Sequence, residues 1–466
     1  MKKIHFIGVA GIGMSALAEM ALLKGLKVSG SDLKLNNLTD KLSRHGASIF
    51  KGHNASNVAP DADIVVRSSC IKKDNPEMSR ADELGIKIIS RSELLKYIFD
   101  ECSLSIGITG THGKTTTSSM VAFIMDYCGK KPTAIIGGEL EQFGGNFKQG
   151  DPDFVVAEVD ESDGYFVNTC VKYAILTNIE REHMDYYGSM ENLIRGYKSF
   201  ISNISSEGIL VFNGEDMILK NITAGIKARK ITYGLAGNFD YTARNVSHDA
   251  NISFDFIQRG KVLGKINSSI MGRHNVMNFL SAIGLSLELG VEFEKIKEAV
   301  KLFRNAKRRF ELMGKSGNID VIEDYGHHPT EIKTVIDTAK GYAKGRAILV
   351  FQPHRHTRTH DLSEEFISCF YGADILVLTE VYSASEKKST GIGVRDIFER
   401  IDKTRFEQAE FLPKEKISNF ISGIAKDGDV ILLVGAGDIR EIGAFILNEL
   451  NIKKMSVIDN RLATAS

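Results

Sequence analysis

The stretch SIGITGTHGKTTTSSM, Ser105 to Met120, constrains the fold most: an apolar strand passes through a glycine-bearing loop straight into a helix. A strand, a short phosphate-sized turn and a helix N-terminus in that order belong to a βα unit, and βα units in series build a parallel sheet. Gly110, Thr111, His112 and Gly113 form the loop, and Lys114, Thr115 and Thr116 open the helix. Backbone amides there can surround phosphate oxygens, with Lys114 reaching the β and γ phosphates of a nucleotide and Thr115 ligating magnesium. The usual GxxxxGK[ST] spacing needs glycine at position 108, which is Ile108, so the loop is a shortened variant.

The same alternation runs through the whole chain. IHFIGVA, KVSGSD, ADIVVRSS and IKIIS alternate with amphipathic stretches up to about Glu101; DFVVAEVD, YAILTNI and GILVFNG continue the series begun at Ser105; NIDVIEDY, RAILVFQP, ADILVLTEV and DVILLVGAG fill the last third. Three α/β domains are expected, 1–101, 102–306 and 307–466. The tail after about Leu450 is expected to be poorly ordered.

Composition removes several classes of function. Lysine plus arginine and aspartate plus glutamate both total 59 in 466 residues, so no global field draws the chain to nucleic acid or anionic membrane, and any anion site is local. Cys70, Cys102, Cys128, Cys170 and Cys369 show no CxxC and suit a reducing cytosol. The N-terminal MKKIHFIGVAGIGMSALAEMALL mimics a signal peptide, but Glu19 interrupts its apolar run and a well-formed strand precedes the helix. No segment reaches the roughly 18 apolar residues of a membrane span. A cytoplasmic enzyme, monomeric or a weak homodimer, is the expectation.

Three further groups carry chemistry. GVAGIGMSA follows a strand and opens a helix, with Asp32 ending the next strand; Ala10 stands where a dinucleotide fingerprint read from Gly8 has glycine, so a nicotinamide dinucleotide and a nucleotide sugar are both allowed. VVAEVDESD and TNIEREHMDYYG place Glu158, Asp160, Glu161, Asp163, Glu182, His183 and Asp185 at strand ends in the domain of the phosphate loop, hard ligands that suit magnesium. EDYGHHPTE and QPHRHTRT bring His327, His328, His354, Arg355, His356 and Arg358 to strand ends in the last third, where guanidinium forks suit a carboxylate or a phosphoryl group.

With these residues in view the chain resembles the Mur ligases. The resemblance runs nearly end to end, through HFIGVAGIGMS, TGTHGKTTT, EVDESDGYF, TNIEREHMDYYG, GRHNVMN, KRRFE, DYGHHPTEI, QPHRHTRT, TEVYSASE and GAGDI in family order, and QPHRHTRT is similar to the alanine-adding branch. It implies a Rossmann-like N-terminal domain, a central P-loop-type ATPase domain with a parallel sheet and a Rossmann-like C-terminal α/β domain. It also implies ATP and Mg2+ or Mn2+ as cofactors, and UDP-N-acetylmuramate and L-alanine as substrates in peptidoglycan precursor synthesis.

By position, the resemblance implies that Gly11, Gly13, Met14, Ser15 and Asp32, with Ser68 or Ser69, contact the sugar nucleotide. It implies that Lys114 binds ATP, that Thr115 and Glu158 hold one metal, and that Glu158 with His183 holds a second. His274 and Asn278 are implied at the adenine, Arg309 and Asp324 at the phosphates and ribose, and Tyr325, His327, Arg355 and Arg358 at the alanine. Lys114, His183, His327, Arg355 and Arg358 are the implied catalytic set. Departures from the family pattern are Ala10, Cys70, Glu182 and Glu323, none of them an implied ligand. Lys198 lies where sister ligases carry a carbamylated lysine, a feature the alanine-adding branch generally lacks.

Overall fold

The computed structural model describes residues 2–247, 251–384, 386 and 391–465, with side chains as far as Lys454. The chain divides into two compact units: Met1–Ser247, Ser253–Ile270 and Asn275–Lys307 form the first, and His248–Ile252, Met271–His274 and Arg308–Ser466 the second.

The first unit holds two sheets. In the smaller, Lys3–Ile7 lies at the centre with Lys27–Asp32 and Ser48–Lys51 on one side and Ile64–Arg67 and Lys87–Ser90 on the other, all parallel. The larger has a parallel middle in the order Pro132–Leu140, Asp151–Glu158, Leu104–Thr109, Val171–Leu176, Ile204–Asn213, Arg229–Tyr233 and Tyr241–Arg244. Antiparallel strands finish both edges, Gly145–Lys148 on one and Ser253–Gln258 with Lys261–Asn267 on the other. The central sheet is therefore mixed, where the sequence pattern spoke only of its parallel part.

The helix Ile12–Leu23 packs against strands of both sheets, and its residues Met14 to Ala21 are all buried. A helix covered on every side must be apolar all round, which is why this run looks like a signal peptide. Its one acid, Glu19, is buried too and is kept ionisable by Lys41, whose Nζ lies 2.8 Å from its carboxylate.

The second unit is built on one sheet in the order Glu311–Ser316, Ile319–Asp324, Val430–Val434, Ala347–Phe351, Ile375–Leu378 and Gln408–Phe411, parallel except for its first pair. Its central strands are buried on both faces: Leu432 belongs to one core, Ile431 and Leu433 to another. The three sheets make a three-domain α/β protein. The last helix, Ile442–Ala465, continues through the tail for which little order was expected, because Leu, Lys, Met and Ala there are good helix formers. All five cysteines are free, and no helix among the described residues is long and apolar enough to cross a membrane.

Because Ile12–Leu23 is core to both sheets of the first unit, Leu17→Ala is expected to destabilise that unit by about 2–5 kcal/mol. Urea unfolding followed by probes placed in each sheet checks this, the two transitions moving together.

Candidate active site

The phosphate loop sits at the carboxyl end of Leu104–Thr109, between the strands that lead to Glu158 on one side and to Thr177 and Asn178 on the other. Ligands bind at such strand ends because helix N-termini and loops converge there. The loop is tied down by its neighbour: Asn178 Oδ1 accepts from His112 N at 2.9 Å, Asn178 O accepts from Thr111 N at 2.9 Å, and Thr177 Oγ1 donates to His112 O at 2.6 Å. Gly113 caps the helix Lys114–Tyr127 at φ 80°, and a Cβ there would come 2.7 Å from Asn278 Oδ1. Both the backbone angle and the close approach require glycine. Asn278, implied at the nucleotide, thus already packs on the loop, accepting also from Thr117 Oγ1 at 3.2 Å.

Lys114 Nζ donates to Gly110 O at 2.5 Å, to Thr111 O at 3.1 Å and to Glu161 Oε1 at 3.0 Å, while Thr115 Oγ1 donates to Glu158 Oε2 at 2.8 Å. Burial works against the Lys114 charge, but Glu161, Asp160 and Glu158 outweigh it and raise its pKa. For Glu161 burial wins over Lys114, and its carboxyl is raised. Asp160 goes the other way: burial raises it, yet Arg91, Lys114 and His183 together hold it well below the usual carboxylate range. His183 stands at φ 57° with Nε2 3.9 Å from Glu161 Oε1.

These residues fit a divalent cation. Glu161 is 1% exposed and its Oε2 has no hydrogen-bond partner among the described residues, and a Cβ at Gly137 would run into the Glu158 carboxylate, so the chain keeps room for that acid. Hydroxyl and carboxylate oxygens are the donors magnesium prefers. Thr115, Glu158 and His183 belong to one neighbourhood. Lys198, by contrast, is exposed on the helix Met190–Ser202.

In the smaller sheet Gly8 has φ 84°, and Asp32 Oδ2 accepts from Ala10 N at 3.0 Å, fixing the glycine turn. Gly11 caps the helix without a side-chain bond. The side chains of Met14 and Ser15 are buried in packing, Ser15 Oγ donating to Ile12 O at 3.0 Å and accepting from Asn146 Nδ2 at 2.9 Å. Ser68 is part-buried beside Gly8, and Ser69 is exposed.

The second unit gathers its own set. The guanidinium groups of Arg308 and Arg309 lie over the Tyr325 ring at 4.8 and 5.3 Å. Tyr325 meets His327 edge-on at 5.5 Å, His327 is 6.2 Å from His354, and His354 stacks on Tyr382 at 5.7 Å. Arg358 Nη1 is 3.2 Å from His354 Nδ1, and Arg355, at φ 72°, has Nε 3.4 Å from Glu386 Oε1. Burial, then Arg358 and Arg355, push His354 down to about 4; burial, then Arg309, does the same to His274. Asp324 accepts from Phe310 N at 2.8 Å and Gly326 N at 2.7 Å, yet burial lifts its carboxyl to about 6. Tyr325, His327, Arg355 and Arg358 are therefore brought together, and Arg309, Asp324 and His274 form a second group within this unit. Sequence reasoning missed Arg91, Tyr382 and Glu386; the last two lie in TEVYSASE, which gave a landmark but no periodicity to single them out.

Comparison with known proteins agrees with this layout. Residues 3–101 match the Mur ligase family catalytic domain, 108–286 the Mur ligase middle domain and 308–437 the Mur ligase glutamate ligase domain. The UDP-N-acetylmuramate–L-alanine ligase of Geotalea daltonii is 41% identical over 452 residues, 97% of this chain and 98% of the relative. Among solved structures, UDP-N-acetylmuramate-alanine ligase MurC from Thermotoga maritima is similar at TM-score 0.82 and 30% identity, covering 97% of this chain and 100% of that one. A murein peptide ligase from Psychrobacter arcticus is similar at TM-score 0.73 and 25% identity, covering 97% and 99%. The chain belongs to the Mur ligase family.

The raised Asp324 carboxyl sets a pH dependence. Its ordinary value is near 4 and its folded value about 6, so between them the folded protein holds a proton that the unfolded chain has lost. The Asp324 contribution to stability is therefore expected to fall as pH rises through that window. Unfolding midpoints measured across it should decline less steeply for Asp324→Asn than for the parent.

Proposed function

We propose that this protein joins L-alanine to the lactyl carboxylate of UDP-N-acetylmuramate, splitting ATP to ADP and phosphate. The observation that carries the reading is the cradle in which Lys114, Thr115, Glu158 and Glu161 meet, in a chain collinear over 97% of its length with a relative bearing that activity in its name.

A carboxylate does not condense with an amine in water, because its oxygen is a poor leaving group. The lactyl carboxylate oxygen attacks the γ-phosphorus of ATP, the bond to the bridging oxygen breaks, and ADP leaves. Lys114 neutralises charge building on the transferred group, and it is already charged and aimed by the loop carbonyls. The alanine amine then attacks the acyl carbon, gives up a proton, and phosphate departs. Thr115, Glu158 and His183 would hold Mg2+, whose chemistry is to offset phosphate charge.

Residues 1–101 hold the sugar nucleotide through Gly11, Gly13, Met14, Ser15, Asp32, Ser68 and Ser69. Residues 102–306 hold ATP through Gly110 to Thr116 and Asn278. Residues 307–466 supply Arg309 and Asp324 to the nucleotide, with His274 beside them, and Arg355 and Arg358 to the alanine carboxylate, with Tyr325 and His327 lining the pocket. Two guanidinium forks suit a single amino-acid carboxylate. The protein works in the cytoplasm as a monomer or weak homodimer.

Phosphate release from ATP and magnesium with UDP-N-acetylmuramate is expected for L-alanine, with the amide product confirmed by mass, and not for D-alanine or a short muropeptide. Lys114→Ala is expected to lower kcat by about 10²–10³-fold with the fold retained. Release with the muropeptide alone would move the reading to a peptide-adding ligase, and unchanged turnover in Lys114→Ala would remove the cradle from the mechanism.

A further inference from the structure

We propose that Arg91 couples the sugar-nucleotide turn to the ATP-side acids and is a positioning residue for carboxylate activation. The inference rests on the function proposed above and adds to it a residue that the motifs did not mark.

Arg91 is the first residue of the helix Arg91–Glu101, at the edge of the smaller sheet. Its Nη2 donates to Asp160 Oδ2 at 2.5 Å, and the next residue, Ser92, donates through Oγ to Asp163 Oδ2 at 2.7 Å. Two neighbours in one helix thus grip two acids of the loop that follows Glu158. The other end of the guanidinium lies on the glycine turn: a Cβ built at Gly13 would collide with Arg91 Nη1 and lie 3.0 Å from Cδ. Gly13 is helical, with no left-handed φ to demand glycine. Its missing side chain, read from sequence as room for phosphate, is room for Arg91.

The chemistry of that position is specific. Gly13, Arg91, Glu158 and Asp160 border one cavity of about 20 Å³, enough for about one water. Burial works against the Arg91 charge, while Asp160, Asp163 and Glu158 outweigh it. Among the described residues Asp160 is its one hydrogen-bond acceptor, so Nη1 and Nε keep donors for an anion. A guanidinium fork is suited to holding a carboxylate with one edge and a phosphate or second carboxylate with the other.

An anion on the Gly11–Gly13 turn meets a cation whose other edge holds Asp160, and Asp160 is flanked by Glu158, bonded to Thr115, and Glu161, bonded to Lys114. Occupancy at one end therefore biases the acids at the other, and by linkage the effect is reciprocal.

The test titrates full-length protein with a non-hydrolysable ATP analogue and magnesium, with and without saturating UDP-N-acetylmuramate, in a calorimeter. In the parent the sugar nucleotide is expected to tighten the analogue by about fivefold or more. In Arg91→Lys, which keeps the charge but loses the fork, the tightening is expected to vanish while affinity for the analogue alone is kept. Gly13→Ala, which alters no charge, is expected to copy that loss by displacing the guanidinium, and to add nothing in the double variant; it also serves if Arg91→Lys fails to fold. Coupling that survives in both variants overturns the inference, as does an equal loss of analogue affinity with and without the sugar nucleotide, which marks mere structural support. A parent that binds both ligands independently overturns it while leaving ligation intact. A parent that does not bind UDP-N-acetylmuramate defeats the proposed function as well.

Discussion

An ammonium group that burial strips of water stays charged only where carboxylates take the place of solvent, and Lys114 is held in that way by Glu161, with Asp160 and Glu158 close behind. Three acids in four residues would repel one another unless each had its own partner. Thr115 bonds Glu158, Arg91 bonds Asp160 and Lys114 bonds Glu161, so the loop after Asp151–Glu158 is held by groups from three separate segments. One of those segments belongs to the smaller sheet. The close packing of the two sheets on the helix Ile12–Leu23 is thus a condition for the charge arrangement as well as for the core.

The second unit solves a different electrostatic problem. His274 and His354 are buried beside arginines and pushed down to about 4, so at neutral pH both rings are uncharged. The positive charge there is left to the guanidinium groups, which stay protonated throughout the working range. A neutral imidazole stacked on Tyr382 gives a flat wall next to that charge, an arrangement fitted to a small substrate with one anionic end and one apolar methyl.

Much of this was legible in the sequence, for a local reason. Strand, turn and helix follow one another within a few residues, so SIGITGTHGKTTTSSM shows its own structure, and acids at strand ends fall near the loop once the sheet is parallel. Apolar periodicity also located the three sheets. What stayed hidden is long-range: Arg91 is 69 residues from Asp160, and nothing in either neighbourhood announces the pair. Gly13 was read as a phosphate contact because glycine records only that space is needed, not what fills it. The first helix imitated a secretion signal since an all-round apolar helix looks alike whether it faces lipid or two sheets. The antiparallel edge strands escaped because pairing direction is set by connections, not by composition.

His183 and Arg355 both hold their side chains out from left-handed backbone, a conformation that disfavours every L-residue with a Cβ by about 1–2 kcal/mol. Glycine would rest there without strain, and asparagine nearly so. The polypeptide is therefore less stable at these two places than its fold allows. Under selection for heat resistance alone, these codons would drift toward small residues and the imidazole and guanidinium would be lost, so endurance and turnover pull this chain in opposite directions at the same two positions.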